Sequence, residues 1–208
     1  DIESLLDQPL TTVNGPLLGR VSRADDATDR YIEFCKNTLH LGTDLSGLKI
    51  AIDCANGAAY QVGPKVLREL GAEVEAIGVM PDGININEGV GSTAPNALID
   101  AVISSRAHLG IALDGDADRV VLVDEKGDLV DGDEILYIIA ACRYRRGHME
   151  GGVVGTLMTN LGLERGLAAM EIPLVRTKVG DRYVIEAMKQ NEWTLGGETS
   201  GHIICSDL

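Results

Sequence analysis

Aromatic side chains are scarce: one Trp, one Phe and five Tyr make up 3% of 208 residues. The core must therefore rest on Leu, Ile, Val and Ala. Positive charge is also scarce. Eighteen Lys and Arg stand against 32 Asp and Glu, for a net charge of −14. A surface that acidic repels nucleic acid and anionic membranes and argues against both as partners. A local site can still be positive inside a negative field. No two of the four cysteines form a CxxC pair. Cys35, Cys54, Cys142 and Cys205 lie far apart, each in or beside an apolar stretch. They read as buried free thiols, which fits a reducing cytoplasm. No signal peptide is expected, and no apolar run is long enough to span a bilayer. The chain opens on Asp rather than Met and stops shortly after a motif, so a piece of a longer protein is expected.

What is present is ordinary for a soluble globular chain, with 45% hydrophobic and 24% charged residues. The length suits one large domain or two of about 100 residues each. Residues 1–20, with Pro9, Gly15, Pro16 and Gly19, read as a linker or the tail of a preceding domain. A helix is expected from about Asp26 to Thr38, with Tyr31, Phe34 and Cys35 as its apolar stripe. A β-α-β pattern then begins. Leu48–Ile52 is a strand ending in Asp53-Cys-Ala-Asn56-Gly57, a helix follows over Val62–Leu70, and Val74–Val79 is the next strand. After a polar loop, a helix opens near Thr93 and Pro95. Leu109–Leu113 and Val120–Val123 are strands. A second cycle starts near Asp128, with helices at Glu134–Arg145, from Gly162 through Met170, and at Asp181–Lys189, and strands at Val153–Leu157 and Leu174–Val179.

Both halves follow the order strand, small-residue turn, helix, strand, with Asn56 and Asn160 in similar turns. This is a weak internal repeat of one α/β unit. The expected fold is α/β, two consecutive domains with mixed, mostly parallel sheets covered by helices. Their boundaries are expected at 21–127 and 128–208. In such sheets ligands gather outside the carboxyl ends of strands, where the Asn56 turn, the Asn160 turn and Asp114-Gly-Asp116-Ala-Asp118-Arg119 all fall.

In that last run, three short carboxylates alternate with small residues after a buried strand, so they can converge on one point. Their repulsion is relieved by a hard divalent cation, and oxygen-only ligation favours Mg²⁺, Mn²⁺ or Ca²⁺ over Zn²⁺. An EF-hand is excluded. Its Gly at loop position 6 is replaced by Arg119, and although Glu125 falls at position 12, apolar strand residues fill the interval. Arg119 beside a cation site suggests an anion there too, such as a phosphate bridging metal and guanidinium. Asp131-Gly-Asp133-Glu134 has similar letters but precedes an amphipathic helix, and it reads as a helix cap.

Gly196-Gly-Glu198-Thr-Ser200-Gly201-His202 sets polar side chains among three glycines. Glu198 and Ser200 suit adjacent sugar hydroxyls, and His202 suits a phosphate or a proton shuttle. A glycine-rich hairpin with a satisfied His is the alternative. Thr177-Lys178-Val-Gly180-Asp181-Arg182 ends a strand and opens a helix, where anions are attracted. Lys178 is a base, a phosphate contact or simply a solvated lysine. Asn85–Thr93 is either a ligand-facing loop or a capped loop without function. His40, His108 and His148 lack metal-ligand spacing and read as structural.

At DCANGA (53–58), LGIALDGDADRVVLVD (109–124), GTLMTNLGLE (155–164), TKVGDRYV (177–184) and GGETSGH (196–202) the chain resembles the α-D-phosphohexomutase family. The likeness covers nearly the whole chain. GTLM-x-N and TKVGDRY point to the glucosamine branch, and Thr199 stands where mannose and glucose relatives usually carry Met. The commoner metal loop has Gly where this chain has Ala117. The resemblance implies four domains in the intact enzyme, with this chain holding the end of the first, all of the second and most of the third. No Ser-His-Asn-Pro-like phosphoserine loop and no C-terminal Arg-Ser-Gly-Thr phosphate loop appear, so the fragment alone is expected to be inactive.

The resemblance further implies that Asp114, Asp116 and Asp118 hold Mg²⁺. Arg119, Lys178 and His202 would serve catalysis, and Glu198, Ser200, Gly180 and Asp181 would bind substrate. The implied reaction interconverts glucosamine 6-phosphate and glucosamine 1-phosphate through a phosphoserine and a bisphosphate, for UDP-N-acetylglucosamine and cell-wall synthesis. Its partners would be the hexosamine phosphate and domains 1 and 4 of the same polypeptide, and it leaves room for a homodimer. A phosphomannomutase or phosphoglucomutase, or a stand-alone cation- or sugar-binding module, are the competing readings.

Overall fold

The structure is a computed structural model that describes residues 3–9, 11–40 and 42–208. The expected linker over 1–20 includes residues 1, 2 and 10, which lie outside the described set. Around them are a short helix α1 (Glu3–Leu6) and a 3₁₀ turn at Gly15–Leu17, and residues 4–9 and 11–20 are exposed.

Helix α2 (Ala27–Asn37) leads into the first sheet unit. It contains β1 (Lys49–Asp53), α3 (Val62–Glu69), β2 (Glu73–Ile77), α4 (Asn96–Ser105), β3 (Leu109–Leu113), β4 (Val120–Asp124) and β5 (Leu129–Val130). The second unit contains α5 (Gly132–Arg145), β6 (Val153–Thr156), α6 (Leu161–Ala168), β7 (Leu174–Thr177), α7 (Asp181–Asn191), β8 (Leu195–Gly197) and β9 (Ile203–Cys205). The central strands β1 and β6 are almost wholly buried. That is why they read as unbroken apolar runs rather than alternating ones.

Strand order is β2-β1-β3-β4-β5 in one sheet and β7-β6-β8-β9 in the other. Strands β2, β1 and β3 are parallel, as are β7, β6 and β8, while the β3–β4, β4–β5 and β8–β9 pairs on one side of each sheet are antiparallel. The mixed, mostly parallel expectation holds. The internal repeat proves to be one of topology, since β1 to β4 occupy the places of β6 to β9. The Asn56 turn follows β1 as the Asn160 turn follows β6. The Asp114–Arg119 hairpin joins β3 to β4 as the Glu198–His202 hairpin joins β8 to β9.

Each sheet is packed on both faces. In the first unit, Ala51, Ala112 and Val123 meet Leu98 and Val102 of α4. In the second, Val153 and Leu195 pack with Leu136, Ala140, Leu163 and Leu167 of α5 and α6, while Val154 packs with Val184 and Met188 of α7. Two expectations need correcting. Tyr31 and Phe34 stack on each other but are more than half exposed, and Ile32 is the residue of α2 that is buried. Ile32 anchors the helix, while Lys65–Asp29 and Lys36–Glu69 ion pairs tie its flank to α3. All four cysteines are free as expected, but only Cys54 is fully buried. Its burial, reinforced by Asp53, pushes the thiol up to about 12.

The units are joined at their hairpins. The Val120 N–H donates to Gly201 O at 3.0 Å, and within the second unit the Gly132 N–H, at the start of α5, braces the same hairpin by donating to Thr199 O at 3.1 Å. A side chain at Gly201 would strike the Val120 backbone, and one at Gly132 would strike Glu198 O and Gly201. Glycine is therefore required at both contacts.

Candidate metal centre and the loop beside it

The β3–β4 hairpin is closed by its own backbone. Asp114 N–H donates to Arg119 O at 3.3 Å, and Ala117 N–H donates to Asp114 O at 3.1 Å. Ala117 takes φ 62°, a left-handed conformation that costs a non-glycine residue roughly 1 kcal/mol. The turn sets Asp114, Asp116 and Asp118 with one oxygen each within 4.8 Å of the others. They form the one such group of three His, Cys, Asp or Glu among the described residues. Asp114 is 2% exposed, while Asp116 and Asp118 are open to solvent.

At that spacing each carboxylate pair repels by on the order of 1–3 kcal/mol. The Arg119 guanidinium answers part of this, and His202 stands beside Asp118. Arg119 Nε lies 2.8 Å from Asp114 Oδ2 and 3.3 Å from Asp118 Oδ1, and His202 Nδ1 lies 3.3 Å from Asp118 Oδ2. Asp114 first, and then Asp118, raise the guanidinium pKa further above its ordinary value. Asp116 has no ion-pair partner among the described residues. The donor set is all oxygen, small in span and open on one side. It fits a hard divalent cation.

The hairpin rests on the Asn56 turn. Ala58 N–H donates to Gly115 O at 2.8 Å, and a side chain on Gly57 would run into the Gly115 backbone. The turn that leads into the Asn85–Thr93 segment is self-capped. Asp82 Oδ1 accepts from Ile84 and Asn85 N–H, and Asn85 Nδ2 donates to Met80 O.

In the second unit, Glu198 Oε1 accepts from the Gly180 N–H at 2.9 Å, so the TKVGD and GGETSGH segments meet. The hairpin is closed by Glu198 N–H to His202 O at 3.0 Å. His202 is held by Asp118. Ser200 is exposed. Lys178 Nζ sits over the Tyr183 ring, 5.7 Å from its centroid, and the Asp181 carboxylate accepts from the next N–H, that of Arg182. The structure thus gathers Asp114, Asp116, Asp118, Arg119 and His202 at one point and pairs Glu198 with Gly180. It brings none of Lys178, Ser200 and Asp181 into hydrogen-bonded contact with the triad. His108 is structural, its Nδ1 accepting from the Lys49 N–H at 2.9 Å.

Two buried carboxyls escaped the sequence reading, Asp53 at 0% and Asp133 at 1% exposure. The available signals were an Asp closing a wholly apolar strand, and a second Asp inside a capping box that needs only one.

Both units match models of a single family. Residues 29–127 match phosphoglucomutase/phosphomannomutase alpha/beta/alpha domain II, and residues 131–208 match alpha/beta/alpha domain III. The chain belongs to the phosphoglucomutase/phosphomannomutase family. Within it, the chain is 60% identical over 206 residues to a phosphoglucosamine mutase of Methylobacillus flagellatus, with 99% of this chain and 46% of that protein covered. It is 59% identical over 204 residues to the phosphoglucosamine mutase of Ectopseudomonas mendocina, with 98% and 46% covered. The chain therefore spans about half the length of the curated relatives it matches.

Among solved structures, a Burkholderia thailandensis protein of the family matches the fold with TM-score 0.76 at 24% identity, over 86% of this chain and 39% of that one. The Aspergillus fumigatus N-acetylphosphoglucosamine mutase, solved with GlcNAc-6P and magnesium, matches with TM-score 0.59 at 25% identity, over 83% and 39%. No helix among the described residues is long and apolar enough to cross a membrane.

Proposed function

We propose that this chain is the metal-binding and sugar-binding half of a phosphoglucosamine mutase, an isomerase acting on glucosamine phosphates in the cytoplasm, where four free thiols are at home. The observation that carries the reading is the junction of the two equivalent hairpins. The triad and the Glu198–His202 loop are tied by His202 to Asp118 and by Val120 to Gly201. A site that moves phosphoryl groups on a sugar needs a cation for the phosphate and polar groups for the hydroxyls side by side. The likeness to phosphoglucosamine mutases over nearly all of this chain favours the amino sugar over mannose or glucose.

In this reading Asp114, Asp116 and Asp118 would hold Mg²⁺, which when bound neutralises charge on the transferring phosphoryl group. Arg119 adds a second positive charge at the same point. Glu198, kept in place by the Gly180 N–H, and the exposed Ser200 accept and donate hydrogen bonds to adjacent sugar hydroxyls. His202, oriented by Asp118, faces the phosphate. Lys178 and the start of α7 with Gly180 and Asp181 line the sugar side of the loop. The phosphoserine comes from another part of the polypeptide. The phosphorus–oxygen bond to serine breaks as one to the sugar hydroxyl forms, and the hydroxyl proton passes to a base. The domain boundary expected at 127 and 128 belongs to the same proposal, moved past β5, which pairs with β4 of the first sheet.

The test is conversion of glucosamine 6-phosphate by the full-length protein. Asp116→Asn is expected to lower kcat by at least about 100-fold. An unchanged kcat would remove the metal assignment, and equal or better turnover of mannose or glucose phosphates would move the protein to another branch. The 208-residue chain alone is expected to show no turnover, and measurable conversion by it would overturn the half-site reading.

A further inference from the structure

The strand β1 ends in a carboxylate that no charged group partners. Asp53 is 0% exposed. Its Oδ1 accepts from the Ala55 N–H at 2.9 Å, and its Oδ2 accepts from the Gly91 N–H at 2.7 Å. These two donors belong to segments far apart in the chain, and each segment grips the metal hairpin. Ala55 opens the turn whose Ala58 N–H donates to Gly115 O at 2.8 Å. Gly91 precedes Ser92, whose N–H donates to Leu113 O at 2.9 Å. Leu113 and Gly115 are the residues on either side of Asp114. Both carbonyls flanking the buried ligand of the triad are therefore held by segments that converge on one Asp53 side chain.

The turn is also under strain. Ala55 and Asn56 both take left-handed conformations, at φ 54° and 49°, and two such non-glycine residues in succession persist only where surrounding contacts over-determine them. The Asp53 Oδ1 bond to Ala55 is one such contact. The Asn56 side chain, accepting from Met80 N–H at 3.1 Å, is another. Tight packing leaves no slack: a side chain on Gly91 would meet the Ala55 side chain and Leu113 O.

We infer that Asp53 is a positioning residue for the metal loop: it fixes the spacing of the carbonyls of Leu113 and Gly115 and so the point at which Asp114, Asp116 and Asp118 converge. The inference rests on the proposed metal site and adds the device that shapes it. An amide at position 53 cannot replace the carboxylate, because its NH₂ would face one of the two N–H donors.

The test is Mn²⁺ binding by this chain, followed by electron paramagnetic resonance, with far-UV circular dichroism to certify folding. Asp116→Asn defines the signal of the specific site. Asp53→Asn is expected to weaken specific binding by about tenfold or more, as loss of a group that orients ligands does, in protein that remains folded. Gly91→Ala reaches the same carbonyl by a different route, keeps Asp53 intact, and is expected to weaken binding in the same direction. It decides the matter if Asp53→Asn does not fold. Folded variants that bind Mn²⁺ within twofold of the parent would overturn the inference. Failure of the parent itself to bind Mn²⁺ at Asp116 would instead sink the metal reading on which it rests.

Discussion

Asp133 sits at 1% exposure, with one oxygen accepting from the Asn160 N–H at 2.7 Å and the other without a hydrogen-bond partner among the described residues. Burial, and then Asp131, raise its pKa, while the Asn160 N–H, Thr199 and Arg176 oppose the shift. The folded chain thus holds this proton more tightly than the unfolded chain, whose value is near 3.8. Stability contributed here is greatest at low pH, falls as pH rises from the unfolded value through the raised folded one, and is lost above it. An amide at 133 keeps the acceptor for Asn160 and has no proton to lose. Asp133→Asn is expected to be at least as stable as the parent at neutral pH and to flatten the decline from about pH 4 upward. Urea midpoints across that range check it. An Asp133→Asn curve parallel to the parent's would show that the pH dependence lies elsewhere.

Helix α5 shows how far local signals carry an element. Asp131 Oδ1 accepts from the Glu134 N–H, and Glu134 Oε2 accepts from the Asp131 N–H, both at 3.0 Å, a complete capping box. Asp131→Ala is expected to cost roughly 1 kcal/mol by chemical denaturation. Glu134→Ala added to it should cost little more, because the two bonds form one unit. Fully additive losses would mean the box does not act as a unit. This cap was legible because its partners stand three residues apart. So was the triad, whose alternating carboxylates follow a buried strand, and so was the strand–helix alternation that gave both sheets. Tyr31 and Phe34 were misplaced because periodicity marks an apolar stripe without saying whether anything covers it. The short edge strands β5 and β9 carry too few residues to show a period. The partners of Asp53 and His202 were opaque for another reason: Gly91 and Asp118 become their neighbours only after the chain has folded.

At the scale of the whole molecule, the two units are copies of one topology joined where their equivalent hairpins meet. The join includes the backbone hydrogen bond from Val120 to Gly201, through a glycine that leaves no room for a side chain. If that seam couples the units, they should unfold together. The sole tryptophan reports on one of them, because Trp193 packs against the Val154, Val184 and Met188 cluster of the second unit. Circular dichroism reports on both. In the parent chain the fluorescence and dichroism transitions are expected to coincide. Gly201→Ala places a side chain against the Val120 backbone at φ 95°, which costs more than about 1 kcal/mol. It should lower the fluorescence midpoint by at least roughly 2–4 °C. Because the damage falls on the seam, it should also pull the two transitions apart, with the second unit melting first. Transitions that still coincide in Gly201→Ala would mean the units are held together by contacts beyond the hairpins. The triad and the Glu198 loop would then keep their alignment for a reason other than this seam.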